Sequence, residues 1–209
     1  MRADARRNRV QILAAAREVF VEQGVDAPLE SIAQRAGVGI ATLYRRFPDR
    51  TALIRQVAID SLGQVLAAAR VGSADECDAW SAFTGFLQRT ADLRIGVLMP
   101  MLLPALSQQI TDDVEFQRLH SDLTAAVQQL IVAAQAAGRL RADLTVGDVL
   151  VVAALLTRPL PGMPEAVASQ LPHRHLQLLI EGLGAPDATP LPGPALGPAD
   201  FEHPPSACS

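Results

Sequence analysis

With 209 residues, 49% of them apolar, the chain can build one large domain or a small domain joined to a larger one. All 18 basic residues are arginine, which excludes a P-loop lysine, a Schiff-base lysine and a Ser-Lys dyad. The net charge of -4 is unevenly spread: residues 1–55 carry +4 and the remainder -8, so only the N-terminal part suits a polyanion.

Cys77 and Cys208 lie far apart and form neither a disulfide framework nor a metal motif, which fits a reducing cytoplasm. The arginine-rich N-terminus lacks the apolar core of a secretory signal, and no run approaches about 18 uninterrupted apolar residues, so no membrane span is expected.

Taken in order, Ile12, Leu13, Ala16, Val19 and Phe20 mark a helical stripe that Gly24 ends. "DAPLESIAQRAG" starts a second helix at Pro28 and closes it at Gly37, with Leu29, Ile32, Ala33 and Ala36 on one face. A third short helix is expected from about Gly39 to Phe47, stopped by Pro48. Asp49 then caps a longer helix carrying Leu53, Ile54, Val57, Leu62, Val65 and Leu66.

The helical pattern continues to about residue 183. Residues 79–93 are aromatic and amphipathic, and 95–110 are strongly apolar, with Pro100 and Pro104 expected to break or kink that stretch. Residues 113–138 predict one long helix closed by Gly138; 145–160 predict a buried helix capped by Thr145. A last helix is expected within 164–183, interrupted by Pro172, and the proline-dense segment 185–209 is expected to be disordered. The fold class is all-α. The expected division is a three-helix head over 1–50, a larger helical body over 51–184, and the tail.

Helix, tight turn at Gly37-Val38, helix is the layout of a helix-turn-helix, whose second helix enters the major groove of DNA. Leu43 and Phe47, four apart, face inward, which leaves Ile40, Ala41, Tyr44 and Arg45 outward. A tyrosine hydroxyl can donate to phosphate, and arginine can bind phosphate or guanine bidentately. Arg50, opening the next helix, adds charge beside the same phosphates.

The stretch "ILAAAREVFVEQGVDAPLESIAQRAGVGIATLYRRFPDRTALI", above all "IAQRAGV" and "TLYRRFPDRTAL", resembles the TetR family of bacterial transcriptional regulators over about residues 8–56. The resemblance implies a dimeric all-α regulator whose C-terminal domain holds a small ligand and dimerises through a four-helix bundle from the last two helices. By position it assigns phosphate contacts to Thr42 and Tyr44, and to Arg50 where most members carry lysine. It assigns base contacts to Gly39, Ile40, Ala41 and Arg45, with Arg46 a weaker candidate. Gly39 departs from the common serine and weakens the helix cap. The approach "APLES" lacks the usual threonine, so that phosphate contact is either lost or taken by Ser31. Arg2, Arg6, Arg7 and Arg9 are candidates for further minor-groove or backbone contacts.

In the body, Trp80, Phe83, Phe86 and Leu87, with Met99, Met101 and Leu102, are candidates to line an apolar ligand cavity, although such stripes also build plain core. His120 is a candidate hydrogen-bond partner for that ligand. His173 and His175, at i and i+2 on a helix, point to different sides, so no metal is expected. "GVGIAT" lacks the third glycine of a dinucleotide fingerprint and follows a helix. No catalytic constellation is present, so no enzyme and no cofactor are expected. The sequence therefore reads as a cytoplasmic, ligand-responsive regulator, expected to repress, that binds a palindromic double-stranded DNA operator as a homodimer and answers a largely apolar small molecule. The alternative is a small-molecule-binding protein or enzyme with a vestigial DNA-binding head.

Overall fold

Apolar helix-forming runs, separated by glycine, proline and capping side chains, give nine helices among the residues that the computed structural model describes: 2–75, 78–106, 112–156, 171–184 and 189–193. They are α1 (Arg2–Gln23), α2 (Leu29–Arg35), α3 (Ile40–Arg46), α4 (Arg50–Asp75), α5 (Ala79–Asp92), α6 (Ile95–Leu106), α7 (Val114–Ala136), α8 (Val146–Leu156) and α9 (Leu171–Leu183). No strand occurs among the described residues, in accord with the all-α expectation.

Carboxylates and a hydroxyl start four of these helices by accepting from otherwise unpaired first-turn N–H groups. Asp49 accepts from Ala52 N–H at 2.7 Å, and Asp78 from Ser81 N–H at 3.2 Å. Asp113 accepts from Glu115 N–H at 3.0 Å and Phe116 N–H at 3.1 Å. At α8, Asp148 N–H donates to the Thr145 hydroxyl at 3.5 Å while Thr145 N–H donates to the Asp148 carboxylate at 2.9 Å, a reciprocal capping box.

Three expectations need correction or limits. Pro100 and Pro104 do not break the apolar stretch, because both lie inside α6. Pro172 lies in the first turn of α9 and does not interrupt it; a missing N–H costs nothing there, since first-turn donors have no intrahelical partner. Residues 157–170 lie outside the described residues, as do 185–188 and 194–209 of the expected tail. Within that tail, 189–193 are held rather than loose: Arg141 donates to Thr189 O and Leu191 N–H to Asp143, both at 2.8 Å.

The chain divides into two compact units: Met1–Gly63 with Val97–Leu119, and Gln64–Gly96 with His120–Ser209. In the first, Ile12, Ala16, Val19 and Phe20 of α1 are fully buried, as are Ile32, Leu43, Leu53 and Val57 of the next three helices. Burying each large apolar side chain contributes about 1.5–3 kcal/mol, so this shared core, more than helix propensity, holds the short α2 and α3. In the second, α5 packs on α8 and α9, and Phe83, Phe86 and Leu87 are buried on its inner face. Among the described residues, Arg50–Val71 is long and apolar enough to cross a membrane, but 61% of its most apolar window is buried, as in a core helix.

Ion pairs tie elements within the first unit. Arg17 of α1 pairs with Asp60 of α4, and Arg55 of α4 pairs with Asp113 and, at 3.6 Å, with Glu115. The Asp113 side chain is only 6% exposed, and the Arg55 guanidinium bonded to it holds its carboxyl below the usual carboxylate range. A depressed carboxyl stabilises the fold above its unfolded pKa, and that contribution is lost as pH falls through the folded value. The Tm of wild type should therefore exceed that of Asp113→Asn, which still caps α7, near neutral pH, and the gap should close below about pH 4. Thermal melts across a pH series check this; a gap that does not vary with pH would remove the charge pair as its cause.

Candidate nucleic-acid interface

The turn between α2 and α3 is fixed by backbone geometry. At the end of α2, Gly37 N–H bonds to Gln34 O at 3.1 Å and Val38 N–H to Ala33 O at 3.0 Å. This paired closure needs a left-handed residue, and Gly37 supplies it at φ +66°. The chain then re-enters helix at Gly39, which caps α3 with its carbonyl alone: Thr42 N–H reaches it at 2.8 Å, and no side-chain cap exists. The loss of a hydroxyl read from Gly39 is thus borne by the backbone.

Helical periodicity sorts the side chains of α3. Leu43 is fully buried and Phe47 nearly so, which anchors one face. On the other face Ala41, Tyr44, Arg45 and Arg46 are exposed, together with Gly39 at the start, while Ile40 and Thr42 are half-buried. Tyr44 is 48% exposed, a large side chain held out on a stable helix. Arg45 donates to the Thr42 hydroxyl at 2.8 Å, one turn back, so a base-contact candidate is tethered to a phosphate-contact candidate. The side of the interface is braced by Arg9, whose guanidinium lies 5.8 Å from the centre of the Phe47 ring. Arg35 bridges α2 to α1 through Glu22, at 2.9 and 2.7 Å, and Glu18 at 3.2 Å.

Arg50 behaves differently from its neighbours. Its Nη1 donates to Val25 O and to Ala27 O, both at 2.7 Å, so that part of the guanidinium is turned toward the α1–α2 connection. Ser31 is half-buried in the first turn of α2, with its N–H on Pro28 O at 3.1 Å.

The candidate ligand residues fall in both units. Trp80, Phe83, Phe86, Leu87 and His120 belong to the second, and Met99, Met101 and Leu102 to the first. Trp80 is half-buried, tilted against Phe83 at 6.0 Å and covered by the Arg139 guanidinium at 5.7 Å. Met99, Met101 and His120 are half-buried, and Leu102 is fully buried. None of these lines the open groove of about 410 Å³ found in the second unit. That groove has Ala67, Ala68, Val71 and Leu93 as its apolar wall and Gln64, Arg89 and Asp92 as its polar groups. Aromatic patterning could not reveal it, because small residues on α4 make the room; the run Ala67-Ala68-Ala69 was the available signal. His173, weighed above as a metal ligand, instead pairs with Asp92 at 2.8 Å.

An exposed recognition helix with one tyrosine and two arginines, set at a fixed angle by a glycine turn, defines a helix-turn-helix DNA-binding regulator. Comparisons with known proteins agree over residues 12–57 and 77–185. The family model described as "Bacterial regulatory proteins, tetR family" matches residues 12–57, and "Transcriptional regulator SbtR-like, C-terminal domain" matches 77–185. An HTH-type transcriptional regulator of Staphylococcus aureus (strain USA300) is 43% identical over 54 residues; the match spans 25% of this chain and 29% of that curated relative. A TetR transcriptional regulator of Streptomyces coelicolor is 31% identical over 86% of this chain and 99% of its own, with a TM-score of 0.65. LfrR of Mycobacterium smegmatis, solved in complex with proflavine, shares the fold at 22% identity and a TM-score of 0.63, over 89% and 99% of the two chains. The chain belongs to the TetR family of transcriptional regulators.

The buried rings of α5 lend themselves to a direct check. Phe86 is fully buried. Phe86→Ala should cost about 3–5 kcal/mol and lower the unfolding midpoint even without any ligand. Denaturant titration of the ligand-free protein measures it; an unchanged midpoint would mean that the ring fills no core.

Proposed function

We propose that this regulator is a repressor that binds an inverted-repeat operator as a homodimer and is released by a small molecule held in its second unit. The observation that carries the reading is the outward face of α3, where Tyr44, Arg45 and Arg46 stand exposed on a helix anchored by Leu43 and Phe47. In this reading Thr42 and Tyr44 contact phosphates, Gly39, Ile40, Ala41 and Arg45 meet base edges, and Arg46 adds a flanking contact. Two heads on a two-fold axis read half-sites about one helical turn apart.

Dimerisation is assigned to α8 and α9. Each carries a large apolar side chain in water, Leu155 at 56% and Leu178 at 63% exposure, which a partner copy would cover. The ligand-responsive role is supported by the SbtR-like match over 77–185 and by the precedent of LfrR with proflavine. An effector acts only through differential affinity for two states, typically about 1–3 kcal/mol of coupling. The groove beside Ala67 and Val71, or the residues around Trp80, would receive a largely apolar molecule. Such a protein works in the cytoplasm, where its DNA lies. A vestigial head is the weaker reading, since the basic balance of residues 1–55 and the exposed arginines of α3 suit DNA.

Selection of random duplex DNA by the purified protein tests the proposal, with an inverted repeat as the expected product; recovery of nothing above background at low and moderate salt would sink it. On the recovered operator, Tyr44→Phe should weaken binding to all sequences alike, by about 3- to 10-fold. Ile40→Ala and Arg45→Ala should instead change which bases are preferred, which a repeat selection with each variant would read.

A further inference from the structure

Arg50 opens α4, yet the carbonyls it reaches belong to a different part of the head. Val25 O and Ala27 O, each 2.7 Å from its Nη1, lie in the connection that leaves α1 at Gly24 and enters α2 at Pro28. An Nη1 nitrogen carries two N–H groups, and two carbonyls take them. Ala27 is 4% exposed, so its carbonyl sits where an unmet acceptor is costly. At the entry to α2, Pro28 offers no N–H and α2 has no side-chain cap; besides Arg50, the connection is held by the Ala27 N–H bond to Gly24 O at 3.3 Å and by the buried Ala27 and Leu29. Beside Arg50, Asp49 is occupied with capping its own helix through Ala52 N–H. Two adjacent residues thus tie the start of α4 in two directions, one along the helix and one across to the α1–α2 connection.

We propose that Arg50 is a positioning residue: it clamps the α1–α2 connection and so sets where α2, and with it the turn to α3, is presented to DNA. The inference rests on the DNA-reading assignment of the α2–α3 pair. It differs from the phosphate contact expected at this position, because Nη1 of the guanidinium is directed at two backbone carbonyls of the head itself. It also gives a reason for arginine: a planar guanidinium with several fixed donors can hold two carbonyls at once, whereas an ammonium is a compact, strongly hydrated point charge on a flexible stem. The charge is the same in both; the geometry is not.

The test compares the full-length wild type with Arg50→Lys, which keeps the charge, and Arg50→Gln, which removes it. Amide hydrogen exchange of the free proteins is measured, and then binding to a random-sequence duplex pool and to the selected operator across a salt series. A clamp predicts faster exchange over residues 24–31 in both variants, with the rest of the head unchanged. It also predicts about tenfold weaker operator binding in both, and an unaltered slope of log affinity against log salt. Wild-type affinity in Arg50→Lys, with a slope lowered by about 0.9 in Arg50→Gln, would overturn the proposal in favour of a plain phosphate contact. Unchanged exchange over 24–31 in both variants would also overturn it. A wild type that binds no duplex would remove the DNA-reading assignment, while the exchange measurement still decides whether the clamp exists.

Discussion

The left-handed backbone at Gly37 is the constraint on which the rest of the head depends. The closure of α2 through Gln34 O and Ala33 O works only if one residue reverses the sense of the chain, and at φ +66° an L side chain costs about 1–2 kcal/mol. Once that reversal is made, Val38 and Gly39 have no freedom to place α3 elsewhere, since Leu43 and Phe47 must still reach the core. Seven-residue helices do not hold themselves together in water. Their orientation is set by a turn at one end and buried apolar anchors along the inner face, and the exposed residues of α3 are the remainder of that solution.

Arginine then serves two separate purposes on this scaffold. Arg17, Arg35 and Arg55 are engaged with acids of neighbouring elements, Asp60, Glu18, Glu22, Asp113 and Glu115. Arg50 is engaged with backbone carbonyls, and Arg9 with an aromatic ring. These are the uses that favour a guanidinium over an ammonium: several donors in one plane, a flat face for stacking, and a charge that burial does not remove. A chain without lysine can thus brace a small head from within by polar contacts that lysine makes less well. The surface pairs among them add little stability individually, and their effect is mainly to fix geometry.

Much of this was legible in the sequence. The Pro28 and Gly37 boundaries of α2, the inward Leu43 and Phe47, and the caps at Asp49 and Thr145 are all short-range signals, set by residues within a turn of one another. Pro100 and Pro104 do not break α6, because helix-breaking is a local tendency and the buried Val97, Leu98, Leu102 and Leu106 keep it continuous through both. The two ends of the Arg50 contact are about 25 residues apart, and no local rule connects them. For the groove, the alanine run on α4 was a local hint, but its other wall, Arg89, Asp92 and Leu93, comes from a separate element that no local rule connects to it.

The charge count of the head gains a different meaning once these contacts are assigned. Read from the sequence, +4 is spread over 55 residues, a weak and diffuse field. In the folded protein, Arg17, Arg35 and Arg55 lie within reach of five carboxylates, of which Asp60, Asp113 and Glu115 come from outside residues 1–55, so their charge is largely compensated where it sits. Arg45 and Arg46, exposed at the end of α3, have no carboxylate partner among the described residues. Pairing inside the scaffold thus leaves the α3 arginines as outward charges with no carboxylate partner among the described residues. Charge placed on one face raises the encounter rate with a polyanion and orients it on arrival, whereas the same net charge dispersed over the head would attract DNA without regard to which face it met. In an acidic chain, internal neutralisation of the structural arginines sets the outward ones of α3 apart, and the proposed DNA-reading role rests on that contrast.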